Sequence, residues 1–297
     1  MEIYFAEPTL DVFLRFTELT GIKLKVLISY CYERGNIEET VNAVSKFAKK
    51  ILLDSGGFTT AKMNSADKNL MRSSFYQFIK NNNELLDENF KCVFAFDDLS
   101  KGHVFSDNLQ MFEDQHCSYP NIVPVIHNIV DGSKEVEEFA KFNPHTMAIG
   151  KCKYKTTLKY LIPTVSKIKS YGCRCHLLGV TDFSVLSKVD IDSCDSTSWM
   201  HDSNVGVVRY FGKKNNIPFI AMIYFPRFHN QIRNGTVLLE NFEFKDDFLS
   251  TMKSVLNIEL NDFYNNNQLE SRQLANIYYT LEMEKYLRTR KALTMGG

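Results

Sequence analysis

Long apolar runs are missing from this chain. None approaches the roughly 18 residues needed to cross a bilayer, so no membrane-embedded segment is expected. An excess of one charge is missing as well: 35 basic and 35 acidic residues leave a formal net charge of zero. That balance argues against a protein that coats nucleic acid, while leaving room for a local basic patch. The start, Met1-Glu2-Ile3-Tyr4-Phe5-Ala6-Glu7, has no basic region ahead of an apolar stretch, and no signal peptide is expected. The seven cysteines are odd in number, scattered, and mostly set within apolar runs such as Lys91-Cys92-Val93-Phe94. This fits reduced thiols in a cytoplasmic protein better than a disulfide framework. There is one tryptophan, no internal repeat and no low-complexity linker.

What is present is alternation. Strand-like apolar runs at 24–32, 50–56, 91–97, 122–128, 146–150, 174–180, 190–196 and 218–225 are separated by helix-period stretches at 37–49, 67–86, 104–116, 133–142, 156–170 and 205–215. In the first stretch Val41, Val44, Phe47 and Ala48 share one face, with polar residues opposite. Strands returning through helices favour a parallel sheet, and eight such units fit a closed (β/α)8 TIM-type barrel better than an open sheet. The expected domains are a barrel over 1–226 and a C-terminal helical extension over 227–297, comprising a loop at 227–236 and helices near 245–256 and 269–293.

In a parallel barrel the chemistry gathers at the C-terminal ends of the strands. Those ends carry Asp54-Ser55-Gly56-Gly57, Asp97-Asp98, His127-Asn128, Gly150-Lys151, Gly179-Val180-Thr181 and Asp195-Ser196-Thr197-Ser198-Trp199. Any one of them reads as an ordinary helix N-cap. Together they set three carboxylates at one mouth, an arrangement costly for folding and useful for chemistry. The glycine pair after Asp54 lets backbone approach a ligand closely, although a tight turn explains it too. Trp199 is a candidate stacking platform for a planar base, or a core residue.

The segments Leu53-Asp54-Ser55-Gly56-Gly57-Phe58, Ala95-Phe96-Asp97-Asp98, Ala148-Ile149-Gly150, His176-Leu177-Leu178-Gly179-Val180 and Asp192-Ser193-Cys194-Asp195 resemble, in order, the tRNA-guanine transglycosylase (queuine tRNA-ribosyltransferase) superfamily. Ile28-Ser29-Tyr30, Pro124-Val125-Ile126-His127 and Asp195-Ser196-Thr197-Ser198-Trp199 look like its phage-type branch, which inserts 7-deazaguanines into DNA. The resemblance implies Asp195 as nucleophile and Asp54 as general acid/base. It implies Asp97 as the reader of the guanine edge, Phe58 and Leu178 as the sandwich around the base, and Gly150 as a backbone contact. Ser55, Gly56, His127 and Gly179 complete the expected substrate-binding set. His127 stands where the tRNA enzymes have glutamine, and Lys151 where they have a second glycine. The family's zinc site, a Cys-x-Cys-x-x-Cys and a later His after the nucleophile, has no counterpart, because no cysteine follows Cys194. Cys173-Arg174-Cys175-His176 reads as a buried strand instead, so neither a metal nor a cofactor is expected.

The implied reaction exchanges guanine for a preQ0-like 7-deazaguanine through a covalent Asp–sugar intermediate. It resembles retaining glycoside hydrolysis, in which one carboxylate attacks the sugar carbon and another carboxyl group handles protons. DNA and the free base are the expected partners, in the host cytoplasm if the gene is a phage's. The six lysines and Arg174 of residues 151–180, which hold no acidic residue, form either a phosphate-binding flank or a solvated helix face. Lys151, Lys153, Lys155 and Trp199 are the candidate nucleic-acid contacts. Alternatives are the same exchange on tRNA, a non-catalytic binding subunit of such an enzyme, and an unrelated barrel glycosidase.

Overall fold

The computed structural model describes residues 1–99, 104–150, 155–226, 234–265 and 267–295, without the side chains of residues 58, 132, 133 and 292–295. The chain forms two compact units, one of residues 4–8 and 25–195, the other of residues 1–3, 9–24 and 196–297. This division falls after Asp195, upstream of the boundary at 226 expected from sequence.

The larger unit is built on an α/β barrel. Its strands are β1 (Glu2–Ala6), β2 (Leu24–Ser29), β3 (Ala48–Asp54), β4 (Phe90–Phe94), β5 (Ile122–Val123), β6 (Val125–Ile126), β7 (Thr146–Ile149), β8 (Arg174–Leu177) and β9 (Ser193–Ser196). They form one sheet in the order β5-β4-β3-β2-β1-β9-β8-β7-β6. The two ends of that order, β5 and β6, are separated in the chain by Pro124 alone. Proline has no N–H to give a sheet ladder, and here the pairing divides around it. Val123 O accepts from Ala95 N at 2.9 Å on one side, and Pro124 O from Ala148 N at 2.9 Å on the other. The result is a nearly closed parallel barrel of nine strand segments alternating with helices.

Burial explains why these runs are strands. All six residues of β2 are buried, as expected where one face meets the barrel interior and the other the surrounding helices. Tyr4, Ala6, Leu27, Leu52, Phe94, Val123, Val125 and Ala148 pack as one cluster, with Cys92 and Leu178 against it. This is a filled core of the kind such barrels have. The outer helices bury one stripe each. Helix Ser65–Asn81 buries Met71, Phe75 and Ile79, and the Asn64 side chain caps it by accepting from Asp67 N at 2.9 Å.

The smaller unit corrects two expectations. Residues 205–215 are not a helix, and 218–225 is not a barrel strand. Instead β10 (Val207–Lys214) and β11 (Ile217–Tyr224) pair antiparallel along their full length, with β12 (Val237–Leu238) beside β11. Asn215 and Asn216 make the connection at φ 51° and 64°. Asparagine tolerates the left-handed region, and a two-residue turn with both φ positive matches the twist of a hairpin. The barrel position assigned from sequence to 218–225 is supplied by β1. The expected C-terminal helices are Lys245–Leu256 and Gln268–Met295; residues 227–233 of the expected loop lie outside the described residues. Among the described residues no helix is long and apolar enough to cross a membrane.

Candidate active site

Asp54 is the last residue of β3, two positions after Leu52 of the interior cluster, so the two-residue period of a strand turns it inward at the barrel mouth. Its Oδ2 accepts from Gly56 N at 3.0 Å. The glycines that follow serve the neighbouring strand ends. Gly56 has φ 91°, and a β-carbon there would overlap that of Cys31; one on Gly57 would overlap Asp97 Oδ1. Ser55 is buried, and its hydroxyl donates to Ala95 O at 3.0 Å, strapping the end of β3 to the exit of β4.

Asp97 follows β4, nine-tenths buried, with Oδ2 2.5 Å from His127 Nε2. A β-carbon on Gly150 would fall 2.6 Å from His127 Cε1, so the glycine makes room for the imidazole. The backbone of His127 is held by Glu135, whose Oε2 accepts from His127 N at 2.7 Å and Asn128 N at 3.3 Å. Burial pushes the Glu135 carboxyl up, against the pull of those two N–H groups. His127 and Glu135 also line a cavity of about 240 Å³ with Asp98, Asn108 and Phe105.

The β4 exit has a support that sequence reasoning missed. Gln115, buried on helix Phe105–Ser118, accepts from Phe96 N at 2.7 Å and donates to Phe96 O at 2.9 Å. Its side-chain amide thus acts as a strand partner for the residue before Asp97. The available signal was a glutamine on the same helical face as Met111 and Phe112, where an amide must find buried partners.

Asp195 lies on β9 and is buried. Its Oδ1 accepts from Gly179 N at 3.1 Å and bonds His176 Nε2 at 3.0 Å, while His176 Nδ1 bonds Ser193 Oγ at 2.8 Å. His176 is buried in the barrel between the rings of Tyr4 and Phe94, at centroid distances of 6.3 and 4.8 Å. Asp195 Oδ2 has no hydrogen bond among the described residues, so Oδ1 alone is fixed by them. Gly179 has φ 67°, the backbone conformation that turns its N–H onto Asp195. Leu178 beside it is partly buried against the interior cluster.

These carboxylates sense one another. Burial, then the charges of Asp97 and Asp195, and least of all Glu7, push the Asp54 carboxyl up to about 7, opposed by the Gly56 N–H. A carboxyl that changes protonation near neutrality, next to two others, is suited to carry a proton in both directions.

The candidate nucleic-acid contacts fare differently. Lys151 and Lys153 lie outside the described residues, as does the side chain of Phe58. Lys155 Nζ donates to Leu178 O at 2.7 Å, which sets a cation at the exit of β8. Further along the lysine-rich segment, Lys167 pairs with Glu137 at 3.0 Å and Lys169 with Asp192, so those two cations are already neutralised. Trp199 is corrected from stacking platform to core residue. It belongs to the smaller unit, is 2% exposed, and packs edge-on against Phe13 at 4.9 Å. Cys173 and Cys175 are buried and form no disulfide, and both ring nitrogens of the neighbouring His176 are engaged as above. Comparison of the chain with protein-family models and with curated proteins finds no match.

Proposed function

We propose that this protein is a guanine transglycosylase that exchanges guanine in DNA for a 7-deazaguanine of the preQ0 kind. The observation that carries the reading is the convergence of Asp54, Asp97 and Asp195 at one barrel mouth, with Asp54 raised to about 7 by burial and then by the charges of the other two. Residues 122–126 count in this reading as a single strand interrupted at Pro124, which makes the barrel a (β/α)8 TIM-type one.

Asp195 Oδ2 attacks C1′ of the target nucleotide while the bond from C1′ to the guanine nitrogen breaks. The electron pair leaves with the base, and Asp54 supplies its proton. Oδ1, held by His176 and Gly179, keeps the attacking carboxylate oriented. The covalent sugar ester is then attacked at C1′ by the incoming 7-deazaguanine, whose ring proton returns to Asp54, and Asp195 leaves. Asp97 accepts the N1–H and 2-amino hydrogens of guanine, with the His127 ring fixed beside it. The target nucleotide must be extruded from any stack to reach the mouth.

The test is release of labelled guanine from duplex DNA, single-stranded DNA and tRNA in the presence of a 7-deazaguanine. Release from DNA that stops in Asp195→Asn is the expected result. Release from tRNA alone would move the reaction to the other polymer, and a covalent adduct trapped by Asp195→Asn would remove the nucleophile assignment.

A further inference from the structure

The sheet order β9-β1-β2-β3 leaves only β1 and β2 between the strand of Asp195 and the strand of Asp54. Their ends carry Glu7 and Ser29. Ser29 closes β2 and alternates with Leu27 of the interior cluster, so its side chain turns into the barrel. It is 7% exposed, and its hydroxyl has no hydrogen-bond partner among the described residues. The Oγ lies 3.3 Å from where a β-carbon on Gly56 would sit, beside the N–H that holds Asp54. Glu7, just past β1, is at φ 54°, a conformation uncommon outside glycine and asparagine, with its N–H on Leu27 O at 3.1 Å. Backbone strain and a buried hydroxyl without a partner among the described residues both cost stability, and such features gather at ligand-binding sites.

We propose that Ser29, flanked by Glu7, forms a pentose-binding edge, its hydroxyl bonding an oxygen of the sugar whose C1′ lies between Asp195 and Asp54. The inference rests on the transglycosylase reading. In that reading the base occupies the opposite arc, where Asp97, His127, Gly150 and Leu178 stand at the ends of β4, β6, β7 and β8. A nucleotide with its base on that arc and C1′ between the two aspartates carries its sugar over β1 and β2. A serine hydroxyl both donates and accepts, so it suits a sugar hydroxyl or an ether oxygen equally.

Ser29→Ala and wild-type protein are titrated calorimetrically with guanine, guanosine and 2′-deoxyguanosine. Both nucleosides are expected to bind the variant roughly three- to ten-fold more weakly, with guanine unchanged, as for loss of one hydrogen bond. A larger loss for guanosine assigns the contact to the 2′-hydroxyl; equal losses assign it to an oxygen common to both sugars. Nucleosides that bind the variant as tightly as the wild type, or a matching loss for guanine, overturn the edge and leave the reaction standing. Wild-type protein that binds none of the three overturns reaction and edge together.

Discussion

His176 Nε2 lies 3.0 Å from Asp195 Oδ1, and the other ring nitrogen is 2.8 Å from Ser193 Oγ. A carboxylate at Asp195 can only accept, so Nε2 donates to it, and in the neutral ring Nδ1 then accepts from the Ser193 hydroxyl. The order of donation fixes the tautomer. Tyr4 and Phe94 flank the ring, which cannot swing away without opening the barrel core. His176 is therefore a positioning residue for Asp195, acting through its oxygen and not on the sugar.

His176→Ala is expected to lower the rate of base release about 10- to 100-fold, the range for a charge-assisted hydrogen bond of ~1.5–3 kcal/mol. The KM for the free 7-deazaguanine should stay the same, because both ring nitrogens of His176 bond Asp195 and Ser193 and neither is engaged with Asp97. His176→Gln restores one donor and should recover part of the rate. Steady-state kinetics of the two variants decide it: equal rates in wild type and His176→Ala would leave the histidine a packing residue only.

Gly57→Ala tests the closeness of the β3 and β4 exits. The added methyl overlaps Asp97 Oδ1, so the carboxylate must leave its bond to His127 or the turn must shift. A stability loss of about 1–3 kcal/mol is expected from overpacking, seen as a lower denaturation midpoint with unchanged slope. Guanine binding should fall further than stability does. An alanine variant with wild-type guanine affinity would show that Asp97 is free to move without consequence.

Gln115 offers a test that is independent of the proposed chemistry. Gln115→Leu conserves bulk but leaves the N–H and C=O of Phe96 buried without their partner. The expected cost is on the order of 2–4 kcal/mol, from two unsatisfied backbone groups at ~1–3 kcal/mol each with some relaxation. Urea unfolding measures it. A cost below that of an ordinary core substitution would mean that the β4 exit is held by other contacts.

The barrel was legible in the sequence because its strands are buried on both faces. Runs such as Leu24-Lys25-Val26-Leu27-Ile28 announce themselves without any alternation to decode. Glu2–Ala6 escaped because five residues at a chain end give too short a run to stand out. Residues 207–214 misled because Val207, Val208, Tyr210 and Phe211 also satisfy a helical spacing. The Asn215-Asn216 turn after them was the deciding signal for a hairpin. At the mouth, the types Asp54, Asp97, His127 and Asp195 were readable from their positions after strands. Their mutual arrangement was not. Gln115, Glu135 and His176 support them across 8 to 19 residues of chain, through contacts that only the closed barrel creates.

Asp54 gives the fold a pH dependence of definite sign. Its carboxyl titrates near 7 in the folded protein and near 3.8 in the unfolded chain. Below the lower value both states hold the proton, and Asp54 contributes nothing. Between the two the unfolded chain releases its proton and the folded protein keeps it, so stability falls as pH rises. Above 7 the loss is complete and constant. Asp54→Asn removes the dependence while keeping the shape of the side chain. Its melting temperature should therefore exceed the wild-type value by an amount that grows between pH 5 and pH 7 and then levels. A difference of several degrees is expected, at about 2–4 °C per kcal/mol for a domain of this size. Glu135, raised in the same direction, is common to both proteins and cancels in the comparison. Adding Asp97→Asn to the wild type should shrink the slope, since the Asp97 charge is the largest contribution after burial. Scanning calorimetry of the three proteins from pH 5 to 8 measures this directly, and parallel curves for wild type and Asp54→Asn would show that Asp54 is ionised at neutral pH and carries no proton to give.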